Sequence, residues 1–246
     1  MHTGRTETAA DGLLALVLDG TFPPGSTLPS EAELAARFGV SRLTMREAIR
    51  SLAATRVIAV THGKSSVIRP ADQWSPLDPR LLHARGRLSG DPLLLPKHLL
   101  EARRMVEISA AEAAAERRTG EDVARLTGFV DAMRDAHART DVPGFVDADL
   151  AFHQAVFHAV GNVFLDALFE PLEQVVRRLR VETSSVPDIR VHAISWHAKI
   201  LDSIAEGDPA GAREMMRGHL FQTQDDMTAY LADNDQSAGA FAGPAW

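Results

Sequence analysis

The sequence predicts a small α+β domain at the N-terminus, followed by an all-α bundle of six or seven helices. Residues 6–70 combine short helical patterns with a Pro/Gly turn, FPPGSTLPS, and two β-branched runs, VIAVT and SSVIR, which flank HGK. From about residue 77 onward, helical patterns alternate with breaks at SGDP, RTGED, TDVPG, VGN, SVPD and EGDP. We therefore expect a first domain at 1–70, a Pro-rich linker with a short helix at 71–91, a helical domain at 92–233 and a flexible tail at 234–246.

Composition excludes several classes of protein. The 246 residues contain no cysteine, so a disulfide framework and a thiolate metal site are both excluded. The apolar runs are too short to span a bilayer, and the N-terminus lacks the basic and apolar regions of a secretory signal. We therefore expect a cytoplasmic protein that does not cross a membrane.

Charge is distributed unevenly along the chain. The net charge is −7, yet residues 31–70 carry seven Lys/Arg against three Asp/Glu. A basic segment on an acidic body is typical of a protein that binds nucleic acid through one small region.

That basic segment contains two short helical patterns separated by a tight turn. In SEAELAARFGVSRLTMREAIRSLAATR the first pattern begins after Ser30, and Glu33 three residues later completes a capping box. The second begins at Ser41 and places Arg42, Thr44 and Arg46 in its first turns, as in a recognition helix. The arginines suit guanine edges, whereas the Ser41 and Thr44 hydroxyls suit phosphate oxygens. A surface helix with solvated arginines, beside a structural hairpin, is the alternative.

The run PPGSTLPSEAELAARFGVSRLTMREAIRSLAATRVIAVTHGKSSVI closely resembles the winged helix-turn-helix of the GntR family of bacterial transcription regulators. The resemblance implies that operator DNA would contact Ser41, Arg42, Thr44 and Arg46 on the recognition helix, and His62 and Gly63 at the wing tip. The chain departs from the family pattern at three positions. Ala32 replaces a DNA-contacting arginine of some relatives, Arg56 replaces the glycine before the wing, and Ser65 replaces the second wing glycine.

Four polar side chains that are unfavourable to bury lie on the apolar faces of three helical patterns in the second half of the chain. In FVDADLAFHQAVFHAV, residues 145–160, Asp149 and His153 lie within about 40° of each other on the apolar stripe. His197 shares a face with Ile194, Ile200, Leu201 and Ile204, and His219 lies on the inward side of the last helix. His158 and His192 point away from these faces.

Two interpretations of these inward groups remain open. The first is that they are separate core residues, each bonded to a carbonyl or a carboxylate. The second is that Asp149, His153, His197 and His219 converge on a divalent metal ion, because imidazole and carboxylate suit zinc, nickel, manganese or iron. Positions would then remain for water or a ligand.

Arg103 is a further inward charge, on a stripe with Leu99, Val106, Ala110 and Ala114. Glu107, one turn later, could pair with it. Alternatively, its planar guanidinium could bind the carboxylate of a small molecule.

The segments EARRMVEISAAEAAAERRT, DLAFHQAVFHAVGN and WHAKILDSIAEGDPAGAREMMRGHL resemble the FCD ligand-binding domain of the FadR subfamily within GntR regulators. The resemblance implies an Asp-His₃ metal site at Asp149, His153, His197 and His219, zinc being the first choice, and an effector contact at Arg103. The linker QWSPLDPRLL is similar to the W-x-x-LDP-x-x-L element of members that sense sugar acids.

Together these observations predict a ligand-responsive transcription regulator, of the repressor type, rather than an enzyme. A two-fold operator requires paired recognition helices, so we expect a homodimer on palindromic double-stranded DNA, with a small carboxylate such as a sugar acid as effector. Two alternatives stay open: a metal-dependent enzyme acting on a small carboxylate, and a regulator whose metal is purely structural.

Overall fold

A computed structural model describes residues 2–60, 65–91 and 93–237 of the chain. In these ranges the helices are α1 (His2–Leu18), α2 (Glu31–Phe38), α3 (Arg42–Ala54), α4 (Pro79–Ser89), α5 (Leu94–Arg117), α6 (Gly120–Ala138), α7 (Val142–Val160), α8 (Val163–Thr183), α9 (Pro187–Glu206) and α10 (Pro209–Ser237). The strands are β1 (Ile58–Ala59) and β2 (Val67–Ile68). The chain forms two compact units that divide after Leu95. This order confirms the predicted fold class, a winged helix-turn-helix followed by a helical bundle.

The helix-turn-helix is built by local capping. The Ser30 side chain accepts from the backbone N–H of Glu33, whose carboxylate accepts from the backbone N–H of Ser30, so the predicted capping box is confirmed. Gly39 ends α2 at a φ of 62°, a backbone conformation that costs glycine little. Ser41 then caps α3, so the two helices are joined by a short turn.

A two-stranded antiparallel sheet follows, in which Ile58 pairs with Ile68. Arg56 precedes it at a φ of 63°, a left-handed conformation that costs arginine more than it would cost glycine. The predicted wing-tip residues His62 and Gly63 lie outside the described residues.

The core of the first unit determines which face of α3 remains free. Leu13 of α1, Met45 and Leu52 of α3, and Ile58 and Ile68 of the sheet are buried in one cluster. Residues on the opposite side of α3 are therefore directed to solvent.

The segment after the sheet packs into the same core. Trp74 is 1% exposed and its Nε1 donates to the carbonyl of Arg69 at 2.9 Å. Leu81 and Ala84 of α4 are buried in that cluster too, so the segment that the sequence presents as a linker is packed against the first unit.

The second unit consists of α5–α10 around one apolar core. Asp208 caps α10, and Pro209 is the first residue of that helix. α8 continues through Pro171, which lies in its interior. Burial of Phe169 and Val175 on either side stabilises both halves of α8 against the loss of one backbone hydrogen bond. No helix among the described residues combines the length and the apolarity needed to cross a membrane.

Candidate metal centre and nucleic-acid interface

The outward face of α3 carries a stripe of arginines. Arg42, Arg46 and Arg50 are all exposed and are spaced four residues apart, so they lie along one side of the helix. Nε of Arg46 lies 2.9 Å from Oε2 of Glu31, and Arg50 pairs with Glu47 at 2.8 Å. Exposed ion pairs contribute only about 0–1 kcal/mol, so phosphate or base edges can displace them readily.

Two predicted DNA contacts, Ser41 and Thr44, have structural roles at the start of α3. The Ser41 hydroxyl accepts from the backbone N–H of Thr44 at 3.0 Å, and the two hydroxyl oxygens are 2.9 Å apart. Thr44 is 6% exposed, whereas Ser41 is exposed. Sequence reasoning did not single out Arg50 or the exposed Leu43 on this surface, although the four-residue spacing from Arg46 could have indicated Arg50.

Three histidines converge in the second unit. His153 of α7, His197 of α9 and His219 of α10 are at most 2% exposed. Nε2 of His153 lies 3.3 Å from Nε2 of His197 and 3.3 Å from Nε2 of His219. One nitrogen from each ring lies within 4.8 Å of the other two, so the sequence prediction that these three side chains meet is confirmed.

This spacing fits the coordination sphere of a divalent ion. Zinc binds imidazole nitrogens at about 2.0–2.1 Å in tetrahedral geometry, which separates two ligand atoms by roughly 3.3–3.4 Å. Nitrogen lone pairs that face one another repel unless a proton or a cation lies between them. The histidine triad (His153, His197, His219) could therefore hold a metal ion.

Hydrogen-bond partners orient two of the rings. Nδ1 of His197 lies 2.6 Å from the carbonyl oxygen of Ala193, which accepts its proton. Nδ1 of His153 lies 2.7 Å from Oε2 of Glu107, although the two groups are not aligned for an ideal hydrogen bond. A proton on Nδ1 leaves the Nε2 lone pair for a metal, so these partners favour the tautomer that a metal site requires.

The predicted fourth ligand, Asp149, lies beside the triad in an ion pair. Its Oδ1 is 3.6 Å from Nε2 of His197. Arg180 donates to the same carboxylate through Nη2 to Oδ1 at 2.6 Å and through Nε to Oδ2 at 3.0 Å. The sequence analysis missed Arg180, although its spacing from Val176, Leu179 and Thr183 on α8 places it on an inward stripe.

Arg103 forms the expected ion pair and also lies next to the histidine triad. Nε of Arg103 donates to Oε1 of Glu107 at 2.5 Å, so the expected ion pair is present. Its Nη2 also lies 3.3 Å from Nε2 of His153. The guanidinium is therefore paired with a carboxylate and at the same time lies next to the triad.

Electrostatics keep the acids ionised. Burial is the largest single influence on the pKa of Asp149 and would raise it, but the charge and hydrogen bond of Arg180, together with His197 and His153, outweigh burial, and the pKa lies far below its usual value. Burial acts likewise on Glu107, where Arg103 and His153 together outweigh it and lower the pKa to about 2. Burial lowers the pKa of His197 to about 3 and that of His219 well below its usual value. Both imidazoles are therefore neutral at pH 7, as metal ligands must be.

These shifts predict how stability depends on pH. The unfolded chain protonates its histidines below about pH 6.5, whereas folded His197 and His219 stay neutral. The free energy of unfolding of the chelator-treated protein should therefore fall as pH drops below 6.5, by on the order of 2 kcal/mol at pH 5 for His197 and further for His219. Urea unfolding between pH 5 and 8 measures this slope. His219→Gln should flatten it and His158→Gln should not; an unchanged slope in His219→Gln would contradict the assignment.

Comparison with known proteins covers both units. Residues 5–68 match the family of bacterial regulatory proteins described as gntR, and residues 98–222 match the FCD domain. The chain is 30% identical to the galactonate operon transcriptional repressor of Escherichia coli (strain K12), over 87% of this chain and 93% of that protein. It is 29% identical to the HTH-type transcriptional regulator LutR of Bacillus subtilis (strain 168), over 90% and 100%.

A solved structure supports the fold. Lar, which controls the expression of the Listeria monocytogenes agr system, superposes with a TM-score of 0.65 at 19% identity, over 91% of this chain and 96% of that one. The relatives are DNA-binding transcription regulators, which decides against the metalloenzyme alternative. The chain therefore belongs to the GntR family of bacterial regulatory proteins and is a transcription regulator that joins a GntR DNA-binding domain to an FCD domain.

Proposed function

We propose that the chain is a repressor of the FadR subfamily that binds a divalent metal in its FCD domain and releases its operator when a small organic acid binds beside that metal. The observation that carries the proposal is the convergence of three buried imidazole nitrogens in the domain joined to the DNA-binding unit.

The DNA-binding part of the proposal rests on α3. Arg42 and Arg46 would contact base edges, with Ser41 and Thr44 at the phosphates and His62 and Gly63 at the wing. A homodimer would place two copies of α3 about one helical turn of DNA apart, which matches a palindromic operator.

The metal part rests on the triad. His153, His197 and His219 would supply three nitrogens and Asp149 a carboxylate oxygen, since a carboxylate has enough lone pairs to serve both Arg180 and an ion. Zinc is the first choice for such a donor set, with nickel, manganese and iron as alternatives. The ion would act as a Lewis acid that attracts the carboxylate of a ligand.

The effector part rests on Arg103. Its guanidinium lies 3.3 Å from the triad, where it could bind the same carboxylate as the metal. One relative is a repressor of a galactonate operon, and this supports a small carboxylate, such as a sugar acid, as the class of effector.

Operator affinity tests the proposal. Fluorescence anisotropy would follow zinc-loaded protein on a palindromic fragment that the protein selects from random DNA, with and without saturating acid. We expect at least tenfold weaker binding with the effective acid, which corresponds to about 1.4 kcal/mol of coupling.

Two variants make this test specific. His197→Ala should retain operator affinity but lose the response to acid, whereas His158→Ala, which changes an exposed histidine, should keep both. A melting temperature that rises with zinc, while no acid in a broad panel alters operator affinity, would favour a purely structural metal and overturn the proposal.

A further inference from the structure

Leu43 is a large apolar side chain that is exposed on the first turn of α3. It is the second residue of that helix, and its exposed fraction is 57%. Scattered exposed leucines are common on protein surfaces and by themselves indicate nothing. Leu43 differs from such residues in its position relative to the core of the first unit and to the arginines of α3.

The core of the first unit lies on the side of α3 opposite Leu43. The buried residues of this helix are Thr44, Met45, Ala48, Ile49 and Leu52. At about 100° per residue, Leu43 is roughly 170° from the middle of that buried set. The leucine is therefore directed away from the apolar cluster of its own unit, and its side chain is available to a partner outside that unit.

Two arginines lie next to Leu43 on this outward face. Arg46 and Arg50 follow three and seven residues later, so they lie one and two helical turns along the same side. Both are exposed and are held only by surface ion pairs, which are weak. If this face enters the major groove, the first turns of α3 approach the base edges, and Leu43 approaches them together with the arginines.

An aliphatic side chain at the base edges favours one base. In the major groove only thymine presents a methyl group, whereas the edges of the other three bases present hydrogen-bond donors and acceptors alone. A leucine gains free energy by burying apolar surface against that methyl group. Against the polar edges of guanine, cytosine or adenine, the same side chain would displace water without replacing its hydrogen bonds.

We propose that Leu43 reads the 5-methyl group of one thymine in each operator half-site, beside the base edge that Arg46 contacts. The inference rests on the proposed binding of α3 to operator DNA. It adds to the hydrogen-bonding contacts proposed above a contact that depends on a methyl group alone, and it makes Leu43 a residue that determines operator specificity.

Replacement of thymine by deoxyuridine removes only the methyl group, so it tests this contact directly. The operator that the natural chain selects from random DNA would be resynthesised with deoxyuridine at one thymine position at a time, and anisotropy would measure each affinity. At one position per half-site, the replacement should weaken binding about fourfold, the effect of one buried methyl group. Replacement at that position in both half-sites should weaken binding about fifteenfold, since distant sites act additively.

A matched pair of leucine variants locates the effect. Leu43→Ala should bind the thymine and deoxyuridine operators equally, because the shortened side chain no longer reaches the base. Leu168→Ala removes a leucine that is 60% exposed in the second unit, and it should keep the full preference for thymine. Circular dichroism would verify that both variants retain the helix content of the natural chain.

The outcomes separate this inference from the proposed function. Specific operator binding that no thymine replacement weakens would overturn the inference and leave operator binding intact. A preference for thymine that is unchanged in Leu43→Ala, or that is lost equally in Leu168→Ala, would overturn it as well. If the natural chain selects no sequence from random DNA, the operator-binding function and the inference both fail.

Discussion

His153→Ala is expected to abolish tight zinc binding, while His158→Ala, on the same helix, should leave it unchanged. Nε2 of His153 lies 3.3 Å from Nε2 of His197 and 3.3 Å from Nε2 of His219, so it is central to the triad. Loss of an outer-shell partner alone costs about 10–100-fold in metal affinity, so loss of this ligand should cost at least about 100-fold. Competition with a chromophoric chelator measures the affinity.

Loss of folding must be separated from loss of a ligand. His153→Gln retains more of the side-chain volume and hydrogen-bonding capacity, so it should fold yet bind zinc weakly. Zinc at 100 times its Kd should raise the free energy of unfolding of the natural chain by about 2.7 kcal/mol and that of His153→Gln far less. Stoichiometric zinc in the double variant His153→Ala, His219→Ala would rule out the site.

Arg46→Ala should abolish specific operator binding without changing helix content. An arginine that binds a guanine edge contributes about 1–3 kcal/mol of discrimination, which corresponds to roughly 5–150-fold in affinity. Anisotropy titrations on the selected operator and on an unrelated fragment measure both affinities, and circular dichroism measures helix content. Specific binding should fall toward the affinity for the unrelated fragment.

Two other arginines define the control for this experiment. If Arg50 contacts phosphate, Arg50→Ala should weaken binding to both fragments alike. The number of counterions released on binding, measured from the salt dependence of the affinity, should fall by about one. Arg178→Ala, which removes an exposed arginine from the second unit, should change neither affinity. Full operator specificity in Arg46→Ala would show that Arg46 does not contact the operator bases.

Much of the fold could be predicted because its signals are local. Ser30 with Glu33, and Asp208 with Pro209, define helix starts through contacts within four residues. Helical periodicity was sufficient to place His153, His197 and His219 inward and His158 outward, since burial of a helical face depends only on angular position.

The side-chain pairing within the site involves helices that are far apart in the sequence. Helical periodicity does not predict which of their residues pair. The carboxylate of Asp149, which is proposed as a metal ligand, also accepts hydrogen bonds from Nε and Nη2 of Arg180, 31 residues away. Glu107 contacts Arg103 and also His153, on another helix. The Asp149–Arg180 and Glu107–His153 contacts each join two helices. A helical wheel shows the faces of one helix and does not show which residues of two helices meet.

X-ray absorption at the zinc edge of zinc-loaded protein shows whether the three imidazoles of the triad bind one metal ion. We expect nitrogen and oxygen ligands at about 2.0–2.1 Å, with outer-shell scattering from three imidazole rings that drops to two in His219→Gln. A zinc ion without imidazole scattering, or a spectrum unchanged by that substitution, would contradict it.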